Sequence, residues 1–92
     1  MTFSSDDAAY YVDRAASLLS IGDVDGATEA AAAAVVALST PPFRGLARDA
    51  RAYANAAVVA MREQPTDADR AHTYLQLCGR TVEELAVFER AA

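Results

Sequence analysis

Residues 30–38 impose the tightest constraint in this sequence: five alanines, then Val35, Val36, Ala37 and Leu38, with no polar side chain in the run. Alanine is the strongest helix former, Asp23 upstream is a ready cap, and Pro41 with Pro42 stops propagation downstream, so a helix over about residues 24–39 is expected. Nine apolar residues fall far short of the roughly 20 needed to cross a bilayer. A helix with no polar side must instead be covered on more than one face, either by being central in a bundle or by meeting another chain.

Elsewhere apolar residues recur at three- and four-residue spacing and no segment alternates with period two, so the chain reads as all-α. A first helix over about residues 6–21 starts after Ser4 or Ser5, with Asp6 and Asp7 at the positive end of its dipole. Its inward stripe is Ala8, Tyr11, Val12, Ala15, Leu18 and Leu19, and Gly22 supplies a left-handed stop before Asp23 caps the next helix. The third helix, about residues 42–63, places Phe43, Leu46, Ala47, Ala50, Tyr53, Ala54, Ala57, Val58 and Met61 on one face until Pro65 ends it. Thr66 with Asp69 resembles a capping box for a fourth helix over 67–78, burying Ala71, Tyr74, Leu75 and Cys78 and stopped by Gly79. Thr81 with Glu84 forms a second box for a short helix over 82–90, with Val82, Leu85 and Phe88 inward. The expected fold is a small bundle of four to five helices built from two helical hairpins. Residues 23–27 and 67–71 echo each other at a spacing of 44, each with an Asp cap, a second Asp and a small residue. Shared capping chemistry explains the echo at least as well as duplication does.

Ninety-two residues leave room for one domain, because so short a chain buries only about 60 to 65% of its unfolded surface. A hydrophobic share of 53% with only 4 Gly and 3 Pro excludes disordered and collagen-like classes. A net charge of −5 repels phosphate backbones and anionic membranes, so neither nucleic acid nor membrane is an expected partner. The lone Cys78 and the lack of an apolar leader point to a reducing, cytoplasmic setting.

The first hairpin resembles the tetratricopeptide repeat family over about residues 8–42. Tyr11 matches its first large aromatic, Ala15 the small packing position, Leu18 the next large one and Gly22 the turn. Ala27 and Ala34 match the small residues of its second helix and Pro41 or Pro42 its terminal proline, while Arg14 and Ala31 depart from the pattern. The resemblance implies helical-hairpin packing and a role in protein association.

Chemistry-bearing residues are few. His72 and Cys78 lie about 120° apart around a helix and do not form a nucleophile and base. Asp23, Asp25 and Gly26 lack the further oxygen ligands and closing glutamate of a calcium loop, and adjacent Glu83 and Glu84 point to different sides. No lysine is present, which removes Walker-type phosphate binding and Schiff-base chemistry. No catalytic residue, metal ligand or cofactor is therefore expected, and the chain reads as non-enzymatic.

Charge and apolar placement carry the functional expectation. Residues 1–40 hold six acids and one Arg, residues 41–62 four Arg and one Asp, and residues 63–92 six acids and three Arg. Arg44, Arg48 and Arg51, extended by Asn55, form a basic stripe on the third helix that could meet an acidic partner or a phosphate. Ala30, Ala33, Val36, Ala37 and Val59 are the candidate interface, since the second helix has no polar face there and Val36 and Val59 lie off the main stripes. The leading expectation is a protein-interaction module that forms a homodimer. The alternative is an acidic regulator or inhibitor, of phage origin on that reading, whose carboxylates occupy a host protein's basic groove.

Overall fold

The computed structural model describes residues 5–39 and 47–91, with the side chains of Ser5 and of residues 88–91 excepted. Four helices follow in order: α1 (Ser5–Ser20), α2 (Val24–Leu38), α3 (Arg48–Arg62) and α4 (Ala68–Ala91). No strand occurs among the described residues. Helix α1 packs on α2 and α4, and α3 packs on the same two, while the diagonal pairs scarcely touch. The result is an antiparallel four-helix bundle with Cα extents of 42 × 20 × 17 Å, closed around an axial core.

Asp caps begin the second helix of each hairpin. The Asp23 Oδ1 accepts the Gly26 amide at 2.9 Å, and the Asp67 Oδ1 accepts the Arg70 amide at 3.1 Å. Gly26 permits that close approach, since a Cβ there would lie 2.5 Å from the other Asp23 carboxylate oxygen. Gly22, at φ +85°, takes the expected left-handed turn and closes the tight α1–α2 connection. In the second turn the expected Thr66–Asp69 box does not form. Thr66 instead donates its hydroxyl to the Met61 carbonyl at 3.1 Å and Asp67 takes over the cap, so one residue seals the end of α3 while the next opens α4.

The two hairpins repeat one inner register. A shift of 42 residues carries the buried Ala8, Val12, Ala15 and Leu19 of α1 onto Ala50, Ala54, Ala57 and Met61 of α3. A shift of 44 carries Ala27, Ala31, Ala34 and Leu38 of α2 onto Ala71, Leu75, Cys78 and Val82 of α4. The difference of two equals the extra length of the second turn, residues 63–67 against 21–23. Two clusters stacked along the axis make the core, one around Leu38, Cys78 and Val82 and the other around Leu19, Met61 and Leu75, each drawing on all four helices.

Gly79 departs from expectation. It does not end a helix: α4 runs unbroken from Ala68 to Ala91, so the described residues form four helices and the separate helix expected over 82–90 is part of α4. Leu75, Cys78, Val82 and Leu85 keep one buried face across the glycine, and that burial outweighs the penalty of about 1 kcal/mol for glycine inside a helix. Thr81 accordingly bonds back to the Leu77 carbonyl at 2.9 Å rather than capping a new helix with Glu84. The expected start of the third helix at residue 42, its inward Phe43 and Leu46, and the Ser4 cap fall outside the described residues. Within them, α3 begins at Arg48 after Ala47.

A Cβ added at Gly79 would meet only Val12 Cγ1, at 3.8 Å, an ordinary contact. Gly79→Ala is therefore expected to stabilise the bundle by about 0.5–1 kcal/mol. Gly22→Ala forces a left-handed residue and should destabilise it by about 1 kcal/mol. Thermal melts followed by circular dichroism should show midpoints moving in opposite directions.

Candidate interaction surface

Alanine dominates the interior. Of the 22 buried apolar residues among the described ones, 13 are alanine, and the helices approach closely because so little side chain separates them. Several large apolar side chains nevertheless stand outside: Tyr10 is 59% exposed, Ile21 78%, Val36 58%, Val59 60% and Val87 64%. The expected interface residues accordingly divide. Ala37 is fully covered and does not present itself to a partner, whereas Ala30, a core residue 7% exposed, reaches the surface only at the floor of the groove between α1 and α2. Ala33 is half-buried, whereas Val36 and Val59 face outward. Val36 lies level with the cluster that contains Ala37 and Ala50, and Val59 level with the one that contains Ala30 and Met61. The two valines therefore mark opposite halves of the bundle and form no single patch.

Two of the grooves on the surface bear on these residues. One, of about 660 Å³, lies between α1 and α2 and is lined by Tyr10, Tyr11 and Arg14 on one side and Glu29, Ala30 and Ala33 on the other. Tyr10 and Tyr11 meet edge-on with ring centroids 5.4 Å apart at 68°. Arg14 and Glu29 are both exposed, and neither makes an ion pair among the described residues. The other groove, of about 700 Å³, lies where α2 begins and α3 ends and is flanked by Asp25, Glu29, Arg62 and Glu63.

Antiparallel packing brings both turns to one end of the bundle. Asp23, Asp25, Glu29, Glu63, Asp67 and Asp69 gather there against Arg62 and Arg70. Glu63 and Arg70 pair at 3.6 Å with both side chains largely in water, a contact worth little.

The basic stripe on α3 is partly spent within the fold. Arg51 is half-buried and donates from Nη1 to the Leu38 carbonyl at 3.2 Å, placing a cation at the negative end of the α2 dipole. Arg48 and Asn55 remain exposed, and Arg44 lies outside the described residues. His72 is half-buried on α4, separate from the interior thiol of Cys78. No cluster of three or more metal-ligating side chains occurs among the described residues, and none of the described helices is long and apolar enough to cross a membrane. Sequence reasoning missed Tyr10, Arg14 and Glu29 as neighbours; the signal was an aromatic and a cation four residues apart, outside the inward stripe of α1.

Comparison with protein-family models, with curated proteins and with solved structures found no match to this chain.

Cys78 is fully covered and donates its thiol to the Ala50 carbonyl at 3.3 Å, joining α4 to α3. Burial pushes the thiol up to about 11 from an ordinary 9.0, because the thiolate would lose its hydration. The folded state thus holds this proton to higher pH than the unfolded chain. Its stabilising contribution is complete below about pH 9 and is lost as pH rises toward about 11. Iodoacetamide at pH 8 is expected to label the native thiol at least tenfold more slowly than the unfolded one. Between pH 9 and 11, a Cys78→Ala variant should lose less stability than the parent in denaturant titrations.

Proposed function

We propose that this chain is a small, non-enzymatic helical interaction module that associates with protein, first of all with a second copy of itself. The supporting observation is that Tyr10, Ile21, Val36, Val59 and Val87 stay exposed around an alanine-rich core. Burying one large apolar side chain contributes about 1.5–3 kcal/mol, so a bundle that leaves five in water has stability to gain by covering them. The resemblance of the first hairpin to a tetratricopeptide unit leans the same way. Light scattering across micromolar concentrations is expected to give twice the chain mass. A strict monomer throughout that range would end the dimer reading.

A second reading has its own observation, the gathering of six carboxylates at the turn end against two arginines. On that reading the chain is an acidic regulator, of phage origin in its strongest form, seated in the basic groove of a host nucleic-acid-binding protein. Capture of such a protein on immobilised chain should then fall steeply with salt and weaken further in an Asp25→Arg variant. Retention that ignores salt would sink it.

A further inference from the structure

The two hairpins share an inner register but not an outer one. The shift of 44 residues that superimposes the cores of α2 and α4 sets Ala30 and Ala33 of α2 against Tyr74 and Leu77 of α4. In the second hairpin the chain supplies its own bulk at these positions, with Tyr74 and Leu77 both half-buried. In the first hairpin alanine leaves the space open, and the α1–α2 groove is the result. Beside this hole stands a knob, Tyr10, 59% exposed and braced edge-on against Tyr11. On opposite walls stand a cation and an anion, Arg14 and Glu29, without ion-pair partners among the described residues.

A hole next to a knob and a cation facing an anion make a surface complementary to itself. An isologous contact, in which the same patch meets its own copy about a two-fold axis, satisfies both features at once. Tyrosine and arginine are also the side chains that most often dominate interface energetics. Resting on the self-association proposed above, we infer that the α1–α2 groove is the seat of a two-fold dimer. Tyr10 of each copy enters the other's Ala30–Ala33 hole, and Arg14 of each copy pairs with the other's Glu29.

Reciprocal charge reversal tests this geometry without altering the core, because Arg14 and Glu29 are exposed. In an Arg14→Glu homodimer both cross-pairs become like-charged, and the same holds for Glu29→Arg. In a mixture of the two single variants both cross-pairs become attractive again. Sedimentation velocity should show each single variant dissociating at least tenfold more readily than the parent and the mixture recovering a heterodimer. A Tyr10→Ala variant should weaken the parent dimer, Glu84→Arg on α4 should leave it intact, and circular dichroism should confirm that every variant folds. A parent dimer that survives both reversals would overturn this face while leaving self-association standing. A parent that is monomeric at every concentration would overturn both.

Discussion

Close approach of helices through alanine governs this molecule. Where a typical bundle separates its helices with leucine, this one sets 13 alanines into the contacts, and the four helices settle around a narrow axis. Alanine loses no rotamer freedom on burial and raises helix propensity, so it lowers the entropic cost of ordering the chain. It also contributes little transfer free energy. The few large interior side chains, Leu38, Leu75 and Val82 among them, therefore carry a disproportionate share of the apolar drive. Gly79 is tolerated mid-helix because the buried stripe on either side of it is continuous.

Narrow contacts have an outward effect as well. Aromatic and branched side chains off the inward stripes lie at or near the surface, where Tyr10 edges a groove floored by alanine and Val36 stands exposed apart from it. The two halves of the chain then differ chiefly in how that exterior is dressed. Tyr74 and Leu77 fill out one hairpin, while the other stays concave, with Arg14 and Glu29 exposed beside the groove. A shared interior with a divergent exterior is compatible with duplication and with independent solutions to the same packing problem.

Most of the architecture was legible in the sequence because it rests on local chemistry. Gly22 and Asp23 announced the first turn, and the three-and-four spacing marked Ala8, Val12, Ala15 and Leu19 as interior. Where local signals misled, a longer-range interaction prevailed. Gly79 and Thr81 read as a stop and a cap, but the periodicity through Leu75, Cys78, Val82 and Leu85 bound them into one helix. The surface was less legible. In a run as uniform as residues 30–38, sequence gives no way to tell the covered Ala30 and Ala37 from the exposed Val36, since a helix apolar all round has no marked side. Arg51 looked like its exposed neighbours, and only the arrival of the Leu38 carbonyl beside it assigns the side chain to holding α2.

The α1–α2 and α3–α4 turns lie at one pole of the bundle, which leaves the start of α1 and the close of α4 together at the opposite pole. A tag, tether or neighbouring domain joined at either place is therefore held at arm's length from the carboxylates of the turns. Two quite different attachments could share this scaffold without crowding one another.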